Sequence, residues 1–397
     1  MTAPRNAWSA PADIVASVQR LWDSGAILAA RLDGGALFPH EVRLRQPGAA
    51  AMGEQFDLVL NWIAALDAGS RSEGYELAWR DINHRQLGRN RIPVAATIDS
   101  EALALRMIGR VAQARRFEEL AALTLDAFPS LRSWLSRQPL RLLEHEAGWT
   151  RILAVLRWFA DHPRPGIYLR QLDIPGVDTK FIEARKGLVA ELLDQVLPAE
   201  AIDAGAIGAR QFEARYGLLG KPAQIRFRIL DRRHDIGGCS DLALPVAQFA
   251  ALHSSVERVF ITENEVNALA FPDVDASMVV FGGGYGIERL AQVDWLRNRQ
   301  LVYWGDIDTH GFAILDRLRA SLPGVRSVLM DDETLQAHRQ VWGQEDVDKR
   351  YLGELQRLTD DERQLFVRLR DNLVDERLRL EQERIGYAWA VDAIRQS

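Results

Sequence analysis

The sequence predicts an α/β domain with a parallel-sheet core at the C-terminus, preceded by a winged-helix-like α+β region and a mainly helical N-terminal domain. Apolar residues recur at spacings of three and four over much of the first 160 residues, as in amphipathic helices. A segment rich in proline and glycine interrupts the chain at 161–166. Beyond residue 256, short apolar runs alternate with amphipathic stretches, the pattern of parallel strands covered by helices on both faces.

The composition is that of an ordinary globular protein. The chain has 397 residues, 47% hydrophobic and 26% charged, so we expect three domains, at 1–160, 161–250 and 251–397. Its single cysteine excludes an internal disulfide framework and a Cys-rich zinc site. No apolar run approaches the roughly 20 residues that cross a bilayer, and we find no secretion signal, so we expect a cytoplasmic protein. The net charge of −6 argues against a DNA-coating protein but leaves a nuclease open.

In the N-terminal domain, the helical periodicity covers four stretches, and we predict helices at 10–31, 52–69, 99–118 and 130–160. Between the second and third stretches, residues 79–93 combine four arginines with a histidine and a tryptophan. We predict a solvated loop there, with a contact to nucleic acid or a protein partner as the alternative.

The middle region has helical and strand patterns in turn. Residues 178–197 and 211–216 have helical patterns, whereas 224–230 alternate polar and apolar residues like a half-buried strand. Short helices followed by such a strand predict a winged-helix-like, DNA-binding module. A plain connecting α+β region is the alternative.

The C-terminal region shows apolar strand patterns at 256–262, 278–281, 301–304 and 325–330. A glycine turn follows the second of them, at 282–284. The strands imply helices between them, and a capping box then opens a long charged helix that we expect to fold back on this sheet or on a partner. These helices are predicted at 287–296, 311–321 and 360–383, with Thr359 and Glu362 forming the capping box.

Acidic residues follow three of the predicted strands, the last of them at 331–332. Glu263 follows the first strand, and Asp306 and Asp308 follow the third. Ligands of parallel sheets bind at the carboxyl ends of strands, and alternate residues of extended chain point the same way. Carboxylates suit hard cations such as Mg²⁺ or Mn²⁺, and without a cation they raise one another's pKa. We therefore predict that these three residues, here called the acidic triad, bind one divalent cation.

Two residues beside the triad have further predicted roles. Gly311 lets the turn after Asp308 pack closely before the next helix. His310 either faces the site, where it assists proton transfer, or caps a turn.

With these motifs in place, the chain resembles proteins of the Toprim fold, which topoisomerases, bacterial primases and several nucleases share. The resemblance rests on residues 259–265, 279–284 and 301–311. The motif after the third strand has the form Asp-x-Asp-x-x-Gly, which is closest to that of the A subunit of topoisomerase VI. A closer resemblance links the chain to the Wadjet nuclease subunits, called JetD or MksG. It rests on stretches at 171–183, 261–267 and 378–384.

The resemblance implies a metal-dependent endonuclease that cuts closed circular double-stranded DNA with little sequence preference, in defence against plasmids. It implies an SMC-type ATPase, a kleisin and a winged-helix subunit as partners, and a homodimer whose two sites cut both strands. By motif, the acidic triad takes the metal and catalytic roles. Glu265 is a candidate fourth ligand or general base by proximity alone.

Three alternatives compete with this interpretation. Topoisomerase VI cuts with a tyrosine, and Tyr168 and Tyr216 lie in the corresponding region, but we expect Tyr168 to be packed and water to be the nucleophile. A non-catalytic assembly subunit would not need three convergent carboxylates. A dinucleotide-binding enzyme would use the glycines at 282–286, but Ile287 stands where that fingerprint needs a third glycine.

Overall fold

The computed structural model describes residues 8–84, 88–281 and 289–397. The chain divides into two compact units, Met1–Gly220 and Lys221–Ser397. This division differs from the three predicted domains, because residues 161–250 are shared between the two units rather than forming one of their own. The predicted glycine turn at 282–284, the start of the predicted helix at 287–296 and residues 85–87 of the predicted loop lie outside the described residues.

The first unit is mainly helical, as predicted, and one hydrophobic core runs from Ile14 to Leu218. At its centre Trp134 stacks on Trp149, with ring centroids 5.7 Å apart, and the indole of Trp149 donates a hydrogen bond to Thr124. Glycines and short turns break several predicted helices in two. The helices are α1 Pro11–Asp23, α2 Ala26–Asp33, α3 Ala49–Glu54, α4 Phe56–Glu73, α5 Glu101–Met107, α6 Val111–Ala127, α7 Arg132–Arg137, α8 Pro139–Glu144, α9 Trp149–Asp161, α10 Thr179–Glu183, α11 Lys186–Val196 and α12 Phe212–Arg215.

The first unit also contains a small antiparallel sheet in the order β1-β3-β2. Its strands are β1 His40–Arg43, β2 Glu76–His84 and β3 Gly88–Ile98. The prediction of a loop at 79–93 is therefore wrong. Trp79 pairs with Pro93 across the hairpin, and Arg91 lies over the ring of Trp79 at 5.4 Å, so strand pairing and a cation–π contact hold this arginine-rich segment in strand form.

The second unit is built on a mixed sheet in the order β5-β4-β7-β6-β8-β9. Within it, β6 pairs in parallel with β7 and β8, β8 pairs in parallel with β9, and β4 is antiparallel to both of its neighbours. The central strands are buried because their residues are apolar on both faces. The strand predicted as a wing is β4 of this sheet. The strands are β4 Gln224–Ile229, β5 Asp241–Pro245, β6 Arg258–Thr262, β7 Ser277–Phe281, β8 Gln300–Trp304, β9 Arg326–Ser327, β10 Gly343–Gln344 and β11 Leu378–Arg379.

The helices of the second unit differ from the prediction at the C-terminal end. The capping box is confirmed, since Thr359 and Glu362 each accept a hydrogen bond from the other's backbone N–H. The helix that it opens ends at Arg370 rather than continuing to 383. Asn372 has a left-handed φ of 54°, and the chain then pairs as β11 with β10. The helices are α13 Val246–Ala250, α14 Glu265–Leu269, α15 Thr309–Ser321, α16 Asp332–Ala337, α17 Asp360–Arg370 and α18 Tyr387–Gln396.

In the described part of the chain, no helix combines the length and the apolar character that crossing a membrane requires.

Candidate active site

The acidic triad lies where two neighbouring parallel strands end. Glu263 follows β6 directly, and Asp306 and Asp308 follow β8, whose last residue Trp304 pairs with Thr262 of β6. The two carboxyl ends therefore adjoin at one edge of the sheet. Residues from β6 and β8, 40 and more positions apart in sequence, face a common region.

Each aspartate is held by a backbone N–H on one oxygen and by Arg379 on the other. Asp306 Oδ1 accepts a hydrogen bond of 2.9 Å from the N–H of Gln382, and Asp308 Oδ1 accepts one of 2.7 Å from the N–H of Gly311. The guanidinium of Arg379 lies 2.6 Å from Asp306 Oδ2 and 3.2 Å from Asp308 Oδ2. The main chain thus orients the pair, and one arginine offsets part of its negative charge.

Glu263 accepts a hydrogen bond from the hydroxyl of Tyr303, a fully buried side chain on β8. Burial raises the pKa of Glu263 to about 7, and the negative charge of Asp306 adds to this rise, although Tyr303 and Arg379 act against it. Burial also raises the pKa of Asp308 to about 7, with Glu345 adding to the rise. Burial is the main cause of both shifts, because it leaves the carboxylates of Glu263 and Asp308 poorly solvated.

The chemistry of this donor set fits a hard divalent cation, since three carboxylates share a poorly solvated region that needs positive charge. As the side chains stand, however, no group of three His, Cys, Asp or Glu residues in the described segments is arranged to hold a metal ion. The positive charge beside Asp306 and Asp308 comes from Arg379. The donors therefore suit the predicted metal, and their present arrangement accommodates an arginine.

The other two predicted site residues have different surroundings. Glu265 pairs with Arg226 of β4, which also pairs with Asp241, so its carboxylate is directed toward the β4 side of the sheet. His310 lies in the first turn of α15, and its backbone N–H donates a 3.1 Å hydrogen bond to Glu345. Burial lowers the pKa of the His310 imidazole, as does the charge of Arg317. The roles proposed for both residues stay predictions.

Sequence reasoning missed several residues of this region. Glu345, 2% exposed, binds the hydroxyl and N–H of Thr309 at the start of α15. No motif marks Glu345. Residues 378–384, here called the strap, supply both Arg379 and Gln382, and this stretch was noted only as part of the resemblance to known nucleases. Its chemistry was not predicted because its partners lie more than 70 positions away.

Gly311 has the packing role predicted for it, since a Cβ at this position would collide with the backbone oxygen of Asp306. Gly311→Ala should therefore displace the Asp306–Asp308 turn and cost about 1–3 kcal/mol of unfolding free energy, as overpacking does. Urea denaturation measures the loss. Gly324→Ala is the matched control, because nothing lies within 4 Å of its added Cβ. Equal stability of the two variants would contradict the close approach.

The tyrosines of the first unit differ in accessibility. Tyr168 is 45% exposed, so the expectation that it is packed is wrong. Tyr216 is fully buried, and its hydroxyl lies 2.8 Å from the carbonyl of Ala190 and 2.7 Å from Asp194. Burial raises the pKa of Tyr216, with Asp194 adding to the rise. Tyr168 alone of the two presents an accessible phenol.

Comparison with known proteins gives two matches that together span most of the chain. Residues 11–194 match a family model described as the N-terminal part of an uncharacterised protein conserved in bacteria (DUF3322). Residues 217–394 match the model described as Wadjet protein JetD, C-terminal. No curated protein matches the sequence. Together, the two family matches support a Wadjet JetD-type protein.

Proposed function

We propose that this protein is the metal-dependent DNA endonuclease subunit of an SMC-type plasmid-defence complex, and that it hydrolyses the backbone of closed circular DNA. The observation that carries the proposal is the position of the acidic triad, whose three members follow the adjoining ends of β6 and β8. The match of residues 217–394 to the C-terminal model of Wadjet protein JetD supports a role in a multi-subunit defence system. The mixed sheet, with its parallel strands β7, β6, β8 and β9, supports a Toprim-type catalytic domain.

The acidic triad would hold Mg²⁺ or Mn²⁺, which supplies charge stabilisation for the phosphate and the leaving oxygen. The protein's own groups orient the ligands. The hydroxyl of Tyr303 fixes Glu263, while the N–H groups of Gln382 and Gly311 each occupy one oxygen of an aspartate. Such fixed partners keep the remaining oxygens in a defined direction, as partners of metal ligands do in other proteins.

The partners that we propose follow from the family. They are an SMC-type ATPase, a kleisin and a winged-helix subunit, with circular double-stranded DNA as the substrate. A homodimer would supply two active sites, one for each strand. Cutting by the isolated chain is therefore expected to be weaker than cutting within the assembled complex.

The double variant Asp306→Ala/Asp308→Ala tests the proposed activity. Within the assembled complex, and with Mn²⁺ or Mg²⁺, we expect the wild-type chain to linearise closed circular plasmid and the variant to lose at least about 100-fold in rate. Agarose-gel assays of supercoiled, nicked and linear plasmid measure it. Asp273→Ala is the control, since this acid is 82% exposed on its side chain and pairs with Arg228. Undiminished cutting by the double variant would refute the site.

The exposure of Tyr168 keeps tyrosine transesterification as a second candidate. In that reaction the phenol oxygen of Tyr168 attacks the phosphorus and stays bonded to the DNA, while the sugar oxygen leaves. Denaturing the reaction with detergent would trap such an adduct. We expect no adduct and undiminished cutting by Tyr168→Phe. An adduct that disappears in Tyr168→Phe would establish the alternative, and an inert wild-type complex would favour a non-catalytic assembly subunit.

A further inference from the structure

The strap runs alongside the turn that holds the two aspartates. Ile307 and Leu380 exchange backbone hydrogen bonds of 2.9 and 3.1 Å, which form an isolated antiparallel bridge. Leu378 and Leu380 are buried, and Arg379 lies between them in extended chain. Since neighbouring residues of extended chain face opposite sides, burying the two leucines directs Arg379 away from the core. The backbone therefore presents this arginine to the acidic triad.

The guanidinium of Arg379 contacts three carboxylates. It lies 2.6 Å from Asp306, 3.2 Å from Asp308 and 3.2 Å from Glu381 of the strap itself. A guanidinium offers five N–H donors in a rigid fork, which suits several carboxylates at once. Its own side chain is 26% exposed, whereas that of Asp308 is 5% exposed. Arg379 thus supplies the cation without which the aspartates would repel each other across a poorly solvated gap.

The two carboxylate oxygens of each aspartate have different partners. The Oδ1 atoms of Asp306 and Asp308 are taken by backbone N–H groups, and both Oδ2 atoms face Arg379. A metal ion that binds both aspartates through their remaining oxygens needs the Oδ2 atoms that the arginine now contacts. A guanidinium and a divalent cation that share this pair of oxygens repel each other, so the contact of Arg379 opposes binding of the metal.

We propose that Arg379 is a built-in competitor of the divalent cation: it binds Asp306 and Asp308 when the metal is absent, leaves their Oδ2 atoms when the metal binds, and so lowers the metal affinity of the site. The proposal rests on the proposed function, since it needs the acidic triad to bind metal. It assigns a role to the strap, and it makes metal occupancy depend on the position of residues 378–384.

The test is Mn²⁺ binding by the full-length protein, with the metal alone as probe and no DNA present. Free Mn²⁺ is followed by electron paramagnetic resonance during titration. We expect Arg379→Gln, which keeps a hydrogen-bond donor but removes the charge, to bind Mn²⁺ about tenfold more tightly than the wild-type chain. Arg379→Ala should show the same direction. The added affinity should disappear when Asp306→Ala/Asp308→Ala is combined with Arg379→Gln.

Arg384→Ala is the matched control on the same strap. Arg384 pairs with Glu381 at 3.0 Å and also contacts the carbonyl of Val341, so its loss should leave the Mn²⁺ affinity unchanged. If the wild-type chain binds Mn²⁺ through the acidic triad and both Arg379 variants bind it equally or more weakly, the competition is refuted and the nuclease site stands. If neither the wild-type chain nor any Arg379 variant binds Mn²⁺, the metal site itself is refuted.

Discussion

Glu263→Gln should lose at least about 100-fold of Mn²⁺-dependent plasmid cutting, yet unfold at a higher temperature than the wild-type chain in the absence of metal. The carboxylate of Glu263 is poorly solvated and lies near Asp306, which together raise its pKa to about 7. Folding at neutral pH therefore has to bury a charge that is more stable in the unfolded chain. Glutamine removes that charge and still offers an oxygen to the hydroxyl of Tyr303. We expect a gain of about 1–3 kcal/mol, since one pKa unit corresponds to roughly 1.4 kcal/mol.

The stability gained by Glu263→Gln should depend on pH in a definite direction. A carboxyl whose folded pKa lies above its unfolded value destabilises the protein as pH rises through the interval between the two values. The advantage of Glu263→Gln should therefore be full at pH 8, shrink as the pH falls below about 7, and be lost near pH 5. Urea denaturation with a chelator at both values measures it. Glu265→Gln, the same change at a 63% exposed side chain, should alter stability by less than about 1 kcal/mol. A variant less stable than wild type at pH 8 would contradict the argument.

Glu362→Gln should destabilise the second unit by about 3–5 kcal/mol, because it leaves a buried arginine without its counter-ion. Arg319 and Glu362 are 8% and 7% exposed, and an N–H of Arg319 donates a 2.9 Å hydrogen bond to Glu362. Ser327 also donates to this carboxylate, as does the backbone of Thr359. Urea denaturation at pH 7 measures the change. Asp332→Asn is the control, since its pair with Arg368 is 51% and 38% exposed and is worth at most about 1 kcal/mol.

The same pair gives a prediction for acid solution within this experiment. Burial alone would raise the pKa of Glu362, but hydrogen bonds from Arg319, Ser327 and Thr359 outweigh it and lower the pKa below the usual value. The stabilisation is therefore present above the unfolded pKa and is lost as pH falls through the lower, folded pKa. The wild-type chain should lose stability below about pH 4, and Glu362→Gln should lose less of it. A loss of equal size in both proteins would contradict this assignment.

The strand positions and the acids that follow them were predictable because their signals are local. Four apolar runs coincide with β6, β7, β8 and β9, although β9 comprises two residues rather than the six predicted. The packing role of Gly311 was also predicted correctly. This glycine lies three positions after the N-capping Asp308 and lets the first turn of the helix approach the backbone of Asp306. The capping box at Thr359 was found for the same reason: capping is a contact between residues three apart.

Other features depended on contacts that no local pattern encodes. The arginine-rich stretch at 79–93 forms a hairpin through backbone pairing of β2 with β3, in which Trp79 lies opposite Pro93. The charged helix after Thr359 ends at Arg370, and the strap instead pairs with Gly343–Gln344 and with Ile307, partners that are distant in the sequence. Glu265 was a candidate fourth ligand or general base only because it is close to Glu263 in the sequence. In the structure, its side chain pairs with Arg226.

The sequence by itself determined where the central strands of the second unit lie and which acids follow them. The physical basis is local, because the apolar pattern of a strand and the residues that follow it belong to one short segment. Only the tertiary structure decided that the strand ends before Glu263 and before the two aspartates adjoin, and that Arg379 supplies the charge between Asp306 and Asp308. The physical reason is that a poorly solvated carboxylate takes whichever cation the fold brings within reach, and that cation comes from a segment 71 to 73 residues further along the chain.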